Sequence, residues 1–486
     1  VRTALCLACA HAAAVLLLAG PLRAQPAPEE DATFSFMRLL SERGLHDLDD
    51  ERWNAYGQFT YITVLKLPFH APYTNANGSV SSFDPNLERS FTGTFSLFLG
   101  ARPWPGAEVF VEPDVLSELP LSRLRGLGGV TEDFELQKTG SIAPTLYRAR
   151  LFLRQTFDLG GTKQHQDSRP LQIGSTVESR RLVLTGGNFG VIDVFDKNGV
   201  TGDPRQTFFN EAFMTHSSYD FPADARGFTW GLTAELYWDD WVVRAGWLLP
   251  PVNPNEQSID FHFWNRFGDE IEFEHDHAIA GRPGAARFLV YLNRVFSGRF
   301  DEAIAAFEAD PRKNAGDCPS TSYNYGSRNF TAPDLCWVRR TNTKIGFGVN
   351  LEQYVAKDVG LFLRAMWSDG RTEVDAYDSA DRDLSFGAVA KGSLWRRPLD
   401  VAGVALAVSW ISDVHAKYLA MGGVDGFIGD GHLRQAPEGL FETFYSVNLF
   451  RAIWLAADYQ LIWNPGYNAD RAGPINLFGA KAHAEF

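Results

Sequence analysis

Apolar and polar side chains alternate one by one along much of this chain. Between residues 90 and 99, Phe91, Gly93, Phe95, Leu97 and Leu99 interleave with Ser90, Thr92, Thr94 and Ser96. A period of two is that of an extended strand whose two faces meet different surroundings. The pattern returns at 147–157, where Tyr147, Ala149, Leu151, Leu153 and Phe157 oppose Arg148, Arg150 and Arg154, with Phe152 out of step. It returns at 228–238, where Phe228, Trp230, Leu232, Ala234, Leu236 and Trp238 share a face with aromatics at both ends. Further alternating segments are 241–249 with Arg244 on the polar face, 359–367 with Arg364 on the polar face, and 453–463. Segments of about ten residues, set apart by Gly, Pro, Asn and Asp clusters, have the length of strands tilted across a bilayer. A soluble sandwich uses strands nearer five or six residues and gives no reason for Trp and Tyr at the ends of apolar stripes.

The last such segment sharpens the choice. Phe478, Ala480, Ala482, Ala484 and Phe486 form one face, against Lys481, His483 and Glu485 on the other. A closing strand that ends on an aromatic residue predicts an all-β, transmembrane antiparallel barrel, in which every backbone N–H and C=O finds a strand partner and no edge is left open. Composition agrees. The 486 residues are 45% hydrophobic and 21% charged, with 37 Phe, yet no apolar run in the body approaches the length of a spanning helix; the best, 401–411, is far short. An aromatic content of 13% also excludes a disordered chain.

The first 24 residues read as an export signal: Arg2, an Ala/Leu/Val-rich stretch from Leu5 to Leu18, and Leu22-Arg23-Ala24 before the cut. Residues 25–52 form a periplasmic lead, and 53–486 the barrel. Loss of 1–24 moves the formal charge from −14 to −16, which argues against nucleic acid as a partner. Two cysteines leave with the signal. The remaining pair, Cys318 and Cys336, lies in a Gly/Pro/Asn/Ser-rich stretch without His at zinc-ligand spacing, so a loop disulfide is favoured over a metal site.

The segment Asp458-Tyr459-Gln460-Leu461-Ile462-Trp463-Asn464-Pro465-Gly466-Tyr467-Asn468-Ala469-Asp470-Arg471, with Gly473-Pro474 and the ending His483-Ala484-Glu485-Phe486, closely resembles the C-terminal signature of the carbohydrate-selective porins of Gram-negative outer membranes. Tyr56-Gly57-Gln58-Phe59-Thr60-Tyr61, 100–108, 149–157 and 193–227 are similar to the same family, so the resemblance runs from about residue 53 to the end. It implies a single-chain barrel of sixteen strands in the outer membrane, long extracellular loops, and passive diffusion of sugars and similar small polar solutes without a cofactor. Pro113-Asp114-Val115 departs from the Pro-Glu-Gly that the family often carries.

Arg or Lys facing lipid near the bilayer midplane costs about 2–4 kcal/mol. Arg148, Arg150, Arg154, Arg244 and Arg364 are therefore expected in the lumen or at its rims, and Glu270, Glu272 and Glu274, which alternate with Ile271 and Phe273, in the lumen. Guanidinium forks and carboxylates there suit sugar hydroxyls, although they also suit one another. The segment from Asp193 to Arg226 exceeds any hairpin turn; it is expected to fold into the barrel and narrow it, with Asn198, Arg205 and Asn210 as sugar contacts, or else to cap the outside.

Other signals are weak. His275-Asp276-His277 has no third metal ligand in view and reads as a rim pair, and Asp375, Asp378, Asp381 and Asp383 read as a solvated loop rather than a Ca²⁺ site. Residues 301–310 predict a short helix. No Gly-x-Ser-x-Gly, His-Glu-x-x-His or phosphate loop occurs. A channel is thus expected over a general or organic-acid pore, a barrel enzyme or an adhesin. Its expected partners are small polar solutes, outer-membrane lipid and, through the strand ending in Phe486, the barrel-assembly machinery.

Overall fold

The computed structural model describes residues 33–131, 141–312 and 331–486. Its strands are β1 (Trp53–Lys66), β2 (Glu88–Ala101), β3 (Ala107–Leu119), β4 (Thr145–Gln166), β5 (Ser175–Gly190), β6 (Phe228–Trp238), β7 (Trp241–Leu248) and β8 (Phe267–Ile279). They continue with β9 (Arg282–Ser297), β10 (Arg340–Ala356), β11 (Val359–Ser368), β12 (Arg382–Lys391), β13 (Val401–Trp410), β14 (Glu438–Leu449), β15 (Ile453–Trp463) and β16 (Ile475–Glu485). Each pairs antiparallel with its chain neighbours, and β1 pairs with β16, closing a sixteen-stranded barrel. No helix among the described residues is long and apolar enough to cross a membrane.

Alternation decides which side chains meet lipid. On β2, Phe95 and Leu99 point outward and are exposed, while Ser90, Thr92, Thr94 and Ser96 point inward and are buried. Outward Ile271 and Phe273 on β8 likewise separate inward Glu270, Glu272 and Glu274. One rim has tight turns, such as Ala280-Gly281, where both residues take positive φ as a two-residue hairpin requires. The opposite rim carries the long loops, here numbered L1 (67–87), L2 (120–144), L3 (191–227), L4 (249–266), L5 (298–339), L6 (369–381), L7 (411–437) and L8 (464–474). Short turns face the periplasm and long loops the exterior.

One face assignment changes. Arg150 pairs with Glu112 but Arg148 pairs with Pro113, a bulge that takes Ala149 out of the ladder. Beyond it the faces swap. Tyr147 turns inward and its hydroxyl donates to Asp114 (3.1 Å), while Arg148 turns outward and lies over the Trp230 ring (5.3 Å). Arg148 is therefore not a lumen residue, because strict period-two counting fails across an inserted residue.

The interior is packed by loops rather than by the wall alone. L3 supplies Phe208, Phe209, Ala212 and Phe213 to one buried cluster, and Val194, Phe195, Tyr219 and Phe221 to another. Helix α1 (Phe36–Glu42), capped by Ser35, seats Met37 against Tyr56 and Phe98 at the periplasmic mouth. The lead around it reaches from Arg451, whose carbonyl accepts from Phe34, to Gly174, whose N–H donates to Glu51. Helices α2 (Phe300–Ala309) and α3 (Asp413–Ala420) pack together in L5 and L7. Cys336 is buried and disulfide-bonded; Cys318 and residues 1–24, expected to be an export signal, lie outside the described residues.

Candidate functional site: the lumen constriction

L3 does not cap the barrel; it crosses the lumen. Its first turn places Asp193 against Arg150 of β4, with Nε and Nη2 at 2.7 and 2.6 Å, and Arg150 also holds Glu112. Three residues on, the Asp196 carboxylate accepts from Thr215 Oγ1 (2.7 Å), Asn350 Nδ2 (2.5 Å) and Arg364 Nε, with Arg364 as its salt-bridge partner at 3.2 Å. The Asp196 N–H donates to Glu272 (2.8 Å). One residue thereby ties the loop to β8, β10 and β11. The loop next exposes Lys197 and Gly199, and then turns back.

On the return, Lys481 of β16 donates to the carbonyls of Pro204 (2.7 Å) and Thr207 (3.0 Å). The Phe209 and Asn210 N–H groups donate to Glu442 of β14. Ser218 donates to Asp383 of β12, and Asp220 pairs with Lys344 of β10 at 2.8 Å. Isolated buried charges would be prohibitively costly, so each is matched where it stands.

A belt of both signs faces the exposed tip of L3. Arg154 pairs with Glu108 at 3.2 Å; Arg244 holds Glu235 (3.1 Å), Glu272 (2.7 Å) and Glu274 (2.7 Å); Arg287 bridges Glu274 (2.6 Å) and Glu352 (3.3 Å). These residues sit directly opposite on neighbouring strands, as in Glu108 with Arg154 and Glu235 with Arg244 and Glu272. Lys197 lies within electrostatic reach of Glu235, Arg244, Arg154 and Glu274.

The sequence-selected residues divide by what they touch. Arg244 and Arg364 are buried within ion pairs, Glu272 and Glu274 answer Arg244, and Glu270 accepts from the Tyr219 hydroxyl. Asn210 is fully buried, its amide spent on Val130 O (3.0 Å) and Gln460 (3.1 Å). Asn198 donates to Asn350 (2.7 Å) and is half-buried; Arg205, 3.7 Å from Asp203, is partly exposed, as are Arg150 and Arg154. Alternation did not single out Glu108, Glu112, Glu235, Arg287, Glu352 or Lys197. Inward polar positions at the same strand depth were the signal for all but Lys197, which is legible only once the loop is folded.

The outer loops close over this region. The Asp375, Asp378, Asp381 and Asp383 run is buried, not solvated. His415 of α3 sits between Asp381 (Nδ1 to Oδ2, 3.1 Å) and Asp425 (Nε2 to Oδ2, 3.3 Å), stacked on Phe300. Burial pushes the Asp425 carboxyl up to about 6, the nearby His415 only partly opposing it. Burial acts to raise Asp381 too, but His415 and the Ser412 N–H outweigh it and hold that carboxyl below its ordinary value. At the other rim, His275 lies against Trp241 and His277 approaches Gln353 (3.1 Å).

A closed sixteen-stranded barrel with long outer loops, one of them laid across a charged lumen, defines an outer-membrane diffusion porin. The chain belongs to the family described as carbohydrate-selective porin, OprB family, matched over residues 126–486. Among solved structures it is similar to the high-pH structure of Pseudomonas putida OprB, at 16% identity and a TM-score of 0.64, over 92% of this chain and 96% of that one. The low-pH structure of the same protein (13% identity, TM-score 0.46, 94% and 98%) and the channel DcaP of Acinetobacter baumannii (11%, 0.46, 89% and 97%) align less well. No curated protein sequence matches. The chain is an outer-membrane channel for the diffusion of sugars and other small solutes.

Proposed function

We propose that the constriction sorts solutes by hydroxyl pattern rather than by net charge, and that neutral sugars are its preferred cargo. The observation that carries this reading is the pairing within the belt: Arg154, Lys197, Arg244 and Arg287 stand among Glu108, Glu235, Glu272, Glu274 and Glu352, so cations and carboxylates nearly balance and neither sign dominates the passage. Donors and acceptors that retain exposed surface, namely Lys197, Arg150, Arg154, Arg205, Asn198, Asp193 and Glu352, are assigned to solute contact. Fixed donors and acceptors together replace hydration water, while exposure keeps binding weak enough for release. Arg244, Arg364, Glu270, Glu272, Glu274 and Asn210 are assigned to the frame that holds the loop. In the same reading, residues 1–24 are the export signal and 25–52 a periplasmic lead.

Liposome swelling with mono- and oligosaccharides, amino acids and organic anions of matched size tests the selectivity. Faster entry of sugars is expected, and equal entry throughout would sink it. Lys197→Ala and Arg205→Ala channels are expected to lose part of their block by sugars; unchanged conductance and block in both would remove these residues from the solute path.

A further inference from the structure

The outward face near the exterior rim carries charge that lipid-facing residues usually avoid. Arg89, Arg148, Arg294 and Arg382 all point outward at the outer ends of β2, β4, β9 and β12, and all are exposed. None has a carboxylate within salt-bridge distance among the described residues. By contrast, outward Arg180 at the periplasmic end of β5 is answered by Asp239 at 2.7 Å. The outward acid Asp269 stands opposite Trp247 and Leu292.

Between Arg148 and Arg294 the wall also carries an aromatic ledge. L4 folds back down its own barrel so that Phe261 meets Trp230 (6.4 Å), while Phe263 and Trp264 meet Trp247 (5.6 and 5.5 Å). Buried Asp260 fixes the bend, accepting from the His262 N–H (2.9 Å) and from Arg266 (2.7 Å), which lies over Phe296. The ledge remains open: Trp264 is 79% and Phe261 59% exposed. Arg148 covers Trp230 at one end, and Arg294, its Nε on the Asn265 carbonyl (2.9 Å), stands at the other.

We propose that this ledge is a recognition site for a phosphorylated, sugar-headed lipid of the outer leaflet. Arginines without carboxylate partners at headgroup depth offer bidentate sites for lipid phosphates. Exposed Trp and Phe faces between them pack on the apolar face of a sugar ring, and the apolar wall below receives acyl chains. A plain anionic phospholipid would use the arginines but leave the ledge without a role. An occupied ledge would hold L4 in its folded-back position.

Purified full-length protein, delipidated in detergent, is to be offered bisphosphorylated lipid A, phosphatidylglycerol or phosphatidylcholine, and retained copies counted by native mass spectrometry. Lipid A is expected to be retained over both others. The R148Q/R294Q pair is expected to lower retention roughly thirty-fold, since each arginine near a headgroup contributes on the order of 1 kcal/mol. Trp264→Ala is expected to lower lipid A retention while leaving phosphatidylglycerol unchanged. Heat-modifiable migration and single-channel conductance report that each variant is folded. Equal retention of lipid A and phosphatidylglycerol by the wild type, or wild-type retention of lipid A by folded variants, would overturn the proposal.

Discussion

Asp196 is the single residue whose loss should do most to loosen the constriction. It accepts from Thr215, Asn350 and Arg364, and Arg364 has no exposure to solvent. Asp196→Ala leaves that guanidinium buried without its carboxylate, a change that costs about 3–5 kcal/mol. Against a total stability of about 5–15 kcal/mol the barrel still closes, and the cost falls on the attachment of the loop. Asp193 with Arg150 and Asp220 with Lys344 remain to hold the loop's two ends. Lys481 and Glu442 likewise keep residues 204–210 in place, so what detaches is the tip around residues 196–200. At about 1.4 kcal/mol per decade, the detached population rises roughly a hundred-fold to a few thousand-fold. Single-channel recording in planar bilayers should then show transitions to a larger conductance level that the parent lacks. The Asp196→Ala/Arg364→Met double variant removes the stranded cation and should recover part of the parent behaviour. Parent-like traces from Asp196→Ala, or a double variant no closer to the parent than the single, would refute the assignment of the loop's anchorage to this pair.

Other outcomes follow from local geometry. At the β1–β16 seam, a Cβ on Gly57 would lie 2.2 Å from the Phe486 ring, so Gly57→Ala should destabilise the barrel by about 1–3 kcal/mol and Phe486→Leu should restore part of it; the temperature at which the folded electrophoretic band converts reads both. The outer loops should respond to pH through Asp425. Its folded value of about 6 exceeds the ordinary 3.8, so the folded loops bind the extra proton and lose stability as pH rises from about 4 to 6, by up to about 3 kcal/mol. Asp381, shifted downward, acts oppositely: its contribution is present above the ordinary carboxylate value and is lost as pH falls through the lowered one. Protease cleavage in L7 between pH 4 and 7 should therefore be flatter for Asp425→Asn than for the parent, and an unchanged profile would count against the His415 cluster as the source.

Strand positions were legible because lipid on one side and water on the other impose the alternation directly; β6 and β15 span the very residues where it is clearest. Face assignment held wherever the ladder is regular, as for Glu270, Glu272 and Glu274, and failed at Arg148, where one bulged residue reverses everything beyond it. The length of L3 left an inward course and an outer cap both open, and the fate of its side chains could not be read from it at all. Asn210 meets Gln460 and Val130, and Asp196 meets Arg364; such partners are brought together only by closure of the barrel. Local composition therefore made Asn210 look available when the fold has used its amide.

The attachments of L3 also bear on the completeness of the barrel. Its moorings come from distant parts of the chain: Arg150 stands on β4, whereas Glu442 stands on β14 and Lys481 on β16. A wall without β14 and β16 thus lacks the groups that hold residues 204–210 across the lumen. Narrowing of the passage therefore requires both sides of the wall, and a barrel lacking either set of moorings would present a wide hole rather than a selective one. The same loop that filters solutes consequently reports that the wall around it is complete.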